Sequence, residues 1–351
     1  MSAAPAAPSA PPPKDLNRLG LSRNDYKGSV STLCPGCGHD SITMHLIKAL
    51  HEHGVNPYKV AKMSGIGCSS KTPAYFLSKS HGFNSVHGRM PSVATGAKLA
   101  NGSLTAVGVS GDGDTASIGM GQFCHIIRRN TDMLYIIEDN GVYGLTKGQF
   151  SATADKGSKQ KTGAFNPYEV IDCCALAITL DCGFVARSFS GDAKQVVPLI
   201  KAGLSHKGLA LMDIISPCIT FNNHEGSTKS YPWVKEHDTP IHGIDYVEPQ
   251  PEIVVDYADG TTKVVDLPDG SHIVLKKIDR DYDPTNKAEA LTAIDKAHRE
   301  GVLLTGLLYI DEKKQDLNTI LNLVDTPLWA LKEADTRPSK ETLEQIMAGY
   351  R

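Results

Sequence analysis

The stretch at residues 105–149 constrains the fold more than any other part of this chain. It contains two apolar runs with a helix-like segment between them: Ala106–Val109, Met133–Ile137 and Gln122–Arg129. Short apolar runs bounded by turn residues are typical of buried strands, so the stretch predicts a strand, a helix and a second, parallel strand. Its unusual residues directly follow the two strands, as Gly-Asp-Gly-Asp at 111–114 and Glu-Asp-Asn at 138–140.

The residues at these two strand ends fit a metal ion and a phosphorylated ligand. In an open parallel sheet, ligands bind at the carboxyl ends of the strands, and this arrangement places Asp112 beside Asn140. Both side chains offer oxygen, the ligand that magnesium prefers. Gly111 and Gly113 let the backbone approach a bulky group, and the helix that follows directs free N–H groups towards an anion. We therefore expect a diphosphate and its magnesium ion at this edge.

The remaining sequence continues the alternation of strands and helices. Strands are predicted at Tyr58–Met63, Gly183–Phe189, Leu209–Ile215 and Val302–Tyr309. Helices are predicted at Ser41–His53, Ser92–Ala100, Asn166–Leu180, Ala193–Ser205, Lys287–Arg299, Leu317–Leu323 and Lys340–Ala348. This pattern predicts an α/β fold with a doubly wound, mostly parallel sheet. Asp40 is the predicted N-cap of the first helix.

Three alternating runs distinguish the C-terminal part of the chain. They read EIVVDY, TTKVVDL and SHIVLKKI, at residues 252–257, 261–267 and 271–278, with Asp-Gly pairs between them. Alternation interrupted by Asp-Gly turns predicts an antiparallel β meander. We expect residues 1–15 to be a disordered Ala/Pro-rich tail, residues 16–240 to be the ligand-binding domain, and residues 241–351 to be an extension packed on that core. The Leu and Trp residues of the extension are expected in the core.

The composition argues against several classes of protein. With 351 residues, 40% of them apolar, the chain can bury a large core. Its formal net charge is -3 without a basic block, so we expect neither a nucleic-acid-binding nor a membrane-binding surface. No run of about 18 apolar residues is present, and the start MSAAPAAPSAPPP lacks the features of a signal peptide. We therefore expect a cytoplasmic protein without structural disulfides.

Four of the eight cysteines lie in loops, where their sulfurs can meet. Cys34 and Cys37 belong to a loop that reads CPGCGH, and Cys68 and Cys218 each follow a predicted strand. Four thiolates are the ligand set of a cubane iron-sulfur cluster, but sulfur ligands also suit zinc. From the residues alone, a cluster, a zinc ion and a redox thiol pair stay open. The other cysteines lie in apolar patterns and are expected to be buried: Cys124, Cys173, Cys174 and Cys182.

Several motifs together resemble those of the beta subunits of 2-oxoacid:ferredoxin oxidoreductases, which bind thiamine diphosphate. Gly-Asp-Gly followed by Asn140 is similar to the thiamine diphosphate motif, and DNGVYGLTKGQ at residues 139–149 looks like this family's version of it. CPGCGH, GIGCSSK and SPCITFNN are similar to its cluster-ligating segments, and the resemblance spans roughly residues 33–225. Taken singly these motifs are weak evidence, since Gly-Asp-Gly alone is usually an ordinary turn.

The resemblance implies which residues hold each cofactor. Magnesium is assigned to two side chains and one carbonyl: Asp112, Asn140 and Val142, the last through its carbonyl. One four-iron four-sulfur cluster is assigned to Cys34, Cys37, Cys68 and Cys218. Thiamine diphosphate is placed against several loops: Ile66, Gly67, Cys68, His87, Gly111, Asp112, Gly113, Asp114, Asn140, Val142, Gly144, Leu145 and Thr146.

Four cationic side chains near these loops are candidates for the chemistry. His87 and Arg89 belong to an HGR segment that resembles the family's element beside the cofactor. Lys71 and Lys147 lie in motif loops, and a 2-oxoacid needs cations for its carboxylates. An isolated lysine or histidine is more often solvated or structural, and that interpretation stays open for each of the four.

The resemblance also implies a reaction and a partner. Members of this family convert a 2-oxoacid, coenzyme A and oxidised ferredoxin reversibly to acyl-coenzyme A, carbon dioxide and reduced ferredoxin. The pattern YGLTKGQFSAT and the long extension look most like the 2-oxoglutarate members, with pyruvate as the alternative substrate. The sequence predicts one doubly wound block, which accounts for the half-site of the diphosphate. The half-site for the pyrimidine ring of the cofactor is therefore expected on a separate alpha subunit. The expected assembly is an alpha-beta heterodimer or a dimer of it.

Two other classes of protein remain as alternatives at this point. A non-redox thiamine diphosphate decarboxylase, lyase or carboligase would use the same Gly-Asp-Gly and Asn140 pattern, but it would give the four loop cysteines no role. A non-enzymatic electron carrier or regulatory protein would use only the cluster. Iron in the purified protein argues against the first alternative, and binding of thiamine diphosphate with magnesium argues against the second.

Overall fold

The computed structural model describes residues 15–160, 163–224, 227–247, 262–266, 272–277 and 282–350. The strands are β1 Val60–Ser64, β2 His81–Asn84, β3 Thr105–Gly111, β4 Met133–Asp139, β5 Val142–Tyr143, β6 Gln149–Phe150, β7 Phe184–Phe189, β8 Leu209–Ile215, β9 Asp238–Pro240, β10 His242–Val247, β11 Thr262–Asp266, β12 His272–Lys277 and β13 Leu303–Ile310. The helices are α1 Gly38–Glu52, α2 Thr72–Tyr75, α3 Met90–Ala100, α4 Met120–Arg129, α5 Cys173–Thr179, α6 Ala193–Ser205, α7 Tyr231–His237, α8 Lys287–Glu300, α9 Leu317–Ile320, α10 Glu333–Thr336 and α11 Lys340–Ala348.

Among the described residues, eight strands form the main sheet, in the order β2-β1-β3-β4-β8-β7-β13-β9. The first six strands in this order run parallel to one another. β13 runs antiparallel to β7 and parallel to β9. The predicted α/β fold with a doubly wound, mostly parallel sheet is therefore confirmed.

Helices cover both faces of this sheet, so its central strands are buried on both sides. All seven residues of β4, for example, are buried. On one face, α1 and α6 contribute Leu46 and Ile200 to a continuous apolar core. On the other face, α4, α5 and α8 contribute Phe123, Ile178 and Ile294 to a second core. Each helix thus turns its apolar side to the sheet, which is the expected packing of a doubly wound fold.

The chain leaves β1 and β3 towards opposite faces of the sheet. Phe76 and Leu77, which follow β1, pack in the same core as α1, whereas Phe123 and Ile126 of α4, which follows β3, pack in the other core. A crevice therefore opens between the carboxyl ends of these two neighbouring strands, the usual ligand position in such sheets. The loops that border it carry the sequences GIGC and GDGD.

One helix start differs from its prediction at the N-terminal cap. α1 begins at Gly38 with Cys37 as its N-cap, so the prediction that Asp40 caps this helix is wrong. Asp40 lies in the first turn and accepts a hydrogen bond from Ser31 Oγ at 2.5 Å. Cys37 can take the cap position because its backbone is extended there and the preceding residue, Gly36, adopts a left-handed conformation with φ of 81°.

The predicted helix at Asn166–Leu180 is only half as long as expected. α5 begins at Cys173, after Asp172, whose side chain accepts a hydrogen bond from Ala175 N–H. The residues before it form a loop because the Asn166 side chain donates to the carbonyl of Ala154 at 3.0 Å. A side chain that bonds to the backbone in this way competes with helix formation, an effect that apolar periodicity does not reveal.

The C-terminal part contributes to two sheets. β13 pairs with β7, so residues 303–310 add a strand to the main sheet. β10, β12 and β11 form a small antiparallel sheet in which Asp266 lies opposite His272, as two of the predicted meander runs require. The first predicted run, at 252–257, lies outside the described residues, and β10 is the third strand instead.

The end of the chain is largely exposed. Trp329 is 81% exposed and Leu328 is 63% exposed, so the expectation that the Leu and Trp residues of this region lie in the core is wrong for these two. It is also wrong for the exposed side chains of Leu321, Leu323 and Leu343. None of the described residues of α11 is buried. No helix in the part of the chain that the structure describes combines the length and apolarity needed to cross a membrane.

Arg187 of β7 provides a test of the buried charges that hold this fold together. Its Nη2 lies 2.6 Å from Asp172 Oδ1 and its Nε lies 3.2 Å from Asp213 Oδ2. Arg187→Leu is expected to lower the free energy of unfolding by about 3–5 kcal/mol, because it leaves two buried carboxyl groups without their cation. Urea unfolding followed by circular dichroism measures this change.

The control for this prediction is Arg299→Leu. Arg299 is 68% exposed and pairs with Asp295 at 2.7 Å on the surface of α8. Exposed pairs contribute at most about 1 kcal/mol, so this variant is expected to be nearly as stable as the natural chain. Equal losses in the two variants would contradict the assignment of a structural role to Arg187.

Candidate functional site

The crevice between β1 and β3 forms a pocket at the carboxyl edge of the sheet. Its lining consists of His39, Ile66, Gly67, Cys68, Ser69, His87, Gly111, Asp112, Gly113, Asp114, Asn140, Val142, Tyr143, Gly144, Leu145 and Thr146. All residues predicted to bind the cofactor are among them. The pocket volume is about 80 Å³, below the roughly 300–1,000 Å³ of pockets that enclose a small organic ligand. The pocket, as it stands, is too small to enclose such a ligand completely.

Asp112 is the buried carboxylate of this pocket. It is 2% exposed, and its Oδ2 accepts hydrogen bonds from Ser151 and, at 2.8 Å, from Thr153 Oγ1. Burial raises the pKa of the Asp112 carboxyl, although these hydroxyl groups and the cation of Lys229 act in the opposite direction. A buried carboxylate whose ionised form is disfavoured gains from a cation beside it, so Asp112 fits the predicted role of metal ligand.

A second carboxyl group lies directly behind Asp112. Thr153 Oγ1 is also 2.7 Å from Asp139 Oδ1. A hydroxyl group carries a single hydrogen, so it can donate to only one of these carboxylates. Burial, together with the charge of Asp112, raises the pKa of Asp139 well above its ordinary value. The Thr153 hydroxyl therefore lies between two buried carboxyl groups, and burial disfavours the ionised form of both.

Asn140 is held in one orientation by its neighbours. Its Oδ1 accepts from the backbone N–H of Val142 at 3.0 Å, and its backbone carbonyl accepts from Asn222 Nδ2 at 2.8 Å. Gly141, between them, has a φ of 74°, and a Cβ at this position would lie 2.7 Å from Asn222 Nδ2. The three predicted magnesium ligands thus line one pocket, and a tight turn that requires glycine joins two of them.

The carboxylate of Asp114 ties three loops of the pocket together. Its Oδ1 accepts from the backbone N–H groups of Ile66, at 3.1 Å, and Gly88, at 2.7 Å. Its Oδ2 accepts from Ser110 Oγ. A Cβ at position 65 would overlap the Asp114 carboxylate, so only glycine fits there. Asp114 was predicted as a cofactor-binding residue, and the structure shows that it also fixes the shape of the pocket.

The four candidate cationic residues differ in their relation to this pocket. His87 lines it and its Nδ1 lies 2.8 Å from Asp114 Oδ1. Arg89, Lys71 and Lys147 are not among the described residues that line it. Lys71 is close enough to Cys68 to lower the pKa of that thiol, against the larger effect of burial. Lys147 lies in an exposed turn with a φ of 80°, a conformation that is uncommon for residues other than glycine.

The four loop cysteines approach one another beside the pocket. A Cβ at Gly144 would lie 3.5 Å from Cys68 Sγ and 3.6 Å from Cys218 Sγ, so this glycine sits between the two sulfurs. Thr220 Oγ1 lies 3.8 Å from Cys34 Sγ and joins that sulfur to the Cys218 loop. The chain therefore brings together thiols that are separated by up to 184 positions in the sequence, as residues 34 and 218 are.

The thiols also influence one another electrostatically. Burial, and then the charge of Glu138 and of the sulfurs of Cys218 and Cys68, raise the pKa of Cys37 to about 12. Burial and the neighbouring sulfurs likewise raise the pKa of Cys68 and of Cys218. Thiols in such surroundings gain from a positively charged centre that binds their ionised form. Among the described residues, no three His, Cys, Asp or Glu side chains are grouped closely enough to hold a single metal ion.

All eight cysteines are free thiols in the structure. Cys173, Cys174 and Cys182 are 0–1% exposed, which confirms that they are core residues. Cys124 is only partly buried, on the side of α4 near Met120, so the prediction of full burial is wrong for this residue. α4 is strongly amphipathic, and position 124 lies at the border of its apolar stripe.

Sequence reasoning missed several side chains that support the site. Ser151 and Thr153 hold Asp112, although the SAT segment that contains them follows the motif directly. His39 lines the pocket from the start of α1. Glu138, to which the sequence analysis gave no role, is completely buried and accepts from Thr72 Oγ1 at 3.0 Å. Burial raises its pKa well above the ordinary value.

Comparisons with known proteins agree with this geometry. A family model described as "Thiamine pyrophosphate enzyme, C-terminal TPP binding domain" matches residues 65–214. A 2-oxoacid:ferredoxin oxidoreductase subunit beta from a Sulfolobus species is 45% identical over 54% of this chain and 63% of its own length, less than two thirds of that relative. The 2-oxoglutarate synthase subunit KorB of Methanocaldococcus jannaschii is 38% identical over 54% of this chain and 69% of its own length.

A solved structure extends the likeness to nearly the whole chain. It is the 2-oxoglutarate:ferredoxin oxidoreductase from Magnetococcus marinus with 2-oxoglutarate, coenzyme A and succinyl-CoA bound. The match has a TM-score of 0.72 and 30% sequence identity, and it covers 94% of this chain and 96% of the other. With a thiamine diphosphate domain at the pocket and relatives of the same kind in sequence and in structure, this chain belongs to the family of 2-oxoacid:ferredoxin oxidoreductase beta subunits.

Proposed function

We propose that this chain is the beta subunit of a 2-oxoglutarate:ferredoxin oxidoreductase, in which it holds thiamine diphosphate, magnesium and one four-iron four-sulfur cluster. The observation that carries the proposal is the position of Cys68. This residue lines the pocket of Asp112 and Asn140, and its sulfur also lies with that of Cys218 beside Gly144. A cofactor in this pocket and a cluster on these thiols would thereby both contact Cys68.

The magnesium ion would be held by Asp112, Asn140 and the carbonyl of Val142. Asp112 supplies a negative charge, and Asn140 and Val142 supply neutral oxygens at the end of the next strand. Gly111, Gly113 and Gly144 would leave space for the diphosphate beside the short helical segment Gly113–Ile118 that follows Asp112. Leu145 and Thr146, in the turn after Gly144, line the same pocket.

The four thiols would hold the cluster. Cys34 and Cys37 come from the loop before α1, Cys68 from the loop after β1, and Cys218 from the loop after β8. Burial raises the pKa of Cys37, Cys68 and Cys218, and a cationic iron centre would offset this cost by binding the ionised sulfurs. We prefer a cluster to a mononuclear zinc ion because the thiols stand around a space that includes Gly144, and a four-iron unit is larger than a single ion.

When bound, thiamine diphosphate would supply an electron-accepting ring that permits a 2-oxoacid to lose carbon dioxide, and the cluster would take up single electrons. The complete reaction is 2-oxoglutarate, coenzyme A and two oxidised ferredoxins to succinyl-coenzyme A, carbon dioxide, two reduced ferredoxins and one proton. Tyr143, His87 and Ile66 would exclude water from one side of the cofactor, since they line the pocket around Asp112.

Cationic side chains would orient the substrate carboxylates. His87 lines the pocket, and Lys71, Arg89 and Lys147 lie on the loops around it. A dicarboxylate such as 2-oxoglutarate needs two cationic contacts, whereas pyruvate needs one. The Methanocaldococcus relative is a 2-oxoglutarate synthase subunit and the Magnetococcus structure is a 2-oxoglutarate:ferredoxin oxidoreductase, and both likenesses support the dicarboxylate.

The partner would be an alpha subunit that supplies the other wall of the pocket. The pocket in this chain is too small for the whole cofactor, and apolar side chains on or next to the segments that line it are exposed. Val86 is 76% exposed, Ile118 is 51% exposed and Leu145 is 49% exposed. Apolar residues grouped around an incomplete site are typical of an interface between subunits. The assembly would be an alpha-beta heterodimer or its dimer.

The remaining assignments concern the wider setting of the subunit. Ferredoxin would receive the electrons at the exposed Cys34 side of the thiol group. Residues 16–240 would form the cofactor-binding domain, and residues 241–351 an extension that adds β13 to its sheet. The unpaired thiols support a reducing, cytoplasmic compartment.

Asp112→Asn is expected to weaken magnesium-dependent binding of thiamine diphosphate by about tenfold or more, because it removes the charge that offsets the ion. Isothermal titration of the alpha-beta complex with thiamine diphosphate, at fixed magnesium, measures the dissociation constant. Asp295→Asn, on the exposed surface of α8, is the control and should leave binding unchanged. Unaltered affinity in the Asp112 variant would disprove the metal assignment.

Cys68→Ser and Cys218→Ser are each expected to reduce the iron content and the electron paramagnetic resonance signal of the reduced complex, because each removes one cluster ligand. Cys124→Ser is a matched control, since Cys124 is also partly buried but lies in α4, away from the other thiols. A full and unchanged signal from Cys218→Ser would show that the fourth ligand is another residue.

The chain alone is expected to be inactive, and addition of its alpha subunit is expected to produce reduction of ferredoxin that depends on a 2-oxoacid and coenzyme A. A panel of 2-oxoglutarate, pyruvate and 2-oxobutyrate should give the highest kcat/KM with 2-oxoglutarate. Lys71→Met or Lys147→Met should raise the KM for 2-oxoglutarate more than the KM for pyruvate, because only the former has a distal carboxylate. Robust turnover by the isolated chain, or a preference for pyruvate, would overturn the corresponding part of the proposal.

A further inference from the structure

His39 occupies a position that the proposed function does not explain. It is the second residue of α1, follows Cys37 by two positions and is 1% exposed. It lines the pocket of Asp112 and Asn140, and its helix directly follows the loop that contains Cys34 and Cys37. Its ring therefore connects the two candidate centres of the chain, and the contacts of its two nitrogens determine what it can do there.

The two ring nitrogens of His39 contact different parts of the chain. Nδ1 lies 2.5 Å from Ser216 Oγ and 3.6 Å from Glu138 Oε2. Ser216 is two residues before Cys218, and Gly38, beside His39, donates its N–H to the carbonyl of Pro217 at 3.3 Å. Nε2 lies 3.4 Å from Asn140 Nδ2. The ring thus bridges from the segment of the fourth cysteine to a predicted magnesium ligand.

The chemistry of the groups determines which nitrogen carries the hydrogen. Oδ1 of Asn140 accepts from the N–H of Val142, so the other end of the amide, which faces His39, is the nitrogen. An amide nitrogen only donates, so Nε2 of His39 must accept. The ring hydrogen is then on Nδ1, where the Ser216 hydroxyl and the Glu138 carboxyl can accept it.

We propose that His39 is a positioning residue, which holds the Asn140 amide with its oxygen towards the magnesium ion and links that orientation to the segment of Cys218. An amide turned by 180° would present N–H hydrogens to the cation, and the ligand would be lost. The proposal rests on the proposed function, because it takes Asn140 to be a magnesium ligand.

An aspartate at position 140 would bind a metal ion in either orientation of its side chain. This property gives a direct test of the role of His39. Both oxygens of an aspartate are equivalent, so an Asn140→Asp chain presents an oxygen to the metal whichever way the group is turned. His39 should therefore matter for magnesium binding when residue 140 is asparagine and should matter much less when it is aspartate. A role of His39 in packing alone would be independent of the residue at 140.

The experiment compares the natural alpha-beta complex with His39→Leu, Asn140→Asp and the double variant. The dissociation constant for magnesium in the presence of thiamine diphosphate is measured by titration calorimetry, and iron content is measured on the same samples. His39→Leu is expected to weaken magnesium binding about tenfold in the natural background and less than about twofold in the Asn140→Asp background. Equal losses in both backgrounds would overturn the proposal.

Two further variants distinguish the loss of the His39 contact from a failure to fold. His39→Gln keeps an acceptor near Asn140 and should restore part of the magnesium affinity that His39→Leu loses, whereas no restoration counts against the proposal. His45→Leu is a matched control on the same helix, since His45 Nε2 contacts the carbonyl of Ser190 at 3.0 Å, and it should leave magnesium affinity unchanged. A loss in this control equal to that of His39→Leu would also overturn the proposal.

Asn140→Ala separates this inference from the proposed function. Unchanged magnesium affinity in that variant would refute Asn140 as a ligand and would overturn both. A large loss in Asn140→Ala, together with equal effects of His39→Leu in the two backgrounds, would retain the metal site and refute only the positioning role of His39.

Discussion

The site depends on one geometric constraint, which is that neighbouring parallel strands end at the same edge of their sheet. The order β1-β3-β4-β8 places four loops side by side, with Ser64 opposite Val109 and Asp139 opposite Ile215. Each of these loops carries residues of a candidate centre. Segments that lie far apart in the chain are therefore brought together by strand pairing, and Asp114 then locks three loops to one another through its carboxylate.

This edge concentrates buried charge that the rest of the fold must stabilise. Asp112, Asp139 and Glu138 are each at most 3% exposed, and burial raises the pKa of all three carboxyl groups. Buried carboxyl groups of this kind weaken a fold unless hydrogen bonds or cations compensate them. Lys229 provides one such cation, since its buried ammonium lies near Asp155, Asp139 and Asp112. The two apolar cores on the faces of the sheet supply the remaining stability.

The sequence was sufficient for those parts of the fold that follow from local pattern. The apolar runs located β3, β4 and β8 closely because a strand buried on both faces reads as a continuous apolar segment. Strand-end glycines and oxygen side chains located Asp112 and Asn140 because the edge rule applies wherever parallel strands occur. The same patterns identified the segments of all four loop cysteines, which the structure brings near one another.

Interactions between distant residues were not predictable in this way. The contact between His39 and Ser216 joins residues 177 positions apart, and no periodicity connects them. Glu138 is buried because Thr72 and the helices that cover β4 pack around it. The local sequence at 138 does not reveal this, since it looks like that of any strand end. The late start of α5 has a similar origin, since the Asn166 side chain bonds to a carbonyl in another loop.

Cys68 has a consequence for how such a protein can diversify. Since this residue belongs to the wall of the pocket and also to the group of thiols, the loop at 66–68 is constrained twice, by ligand fit and by sulfur geometry. Leu145 and Thr146 line the same pocket from an exposed turn that carries no cysteine. Substitutions in that turn are therefore expected to reshape the pocket without displacing a sulfur, whereas substitutions at 66–68 are expected to disturb both the pocket and the thiols.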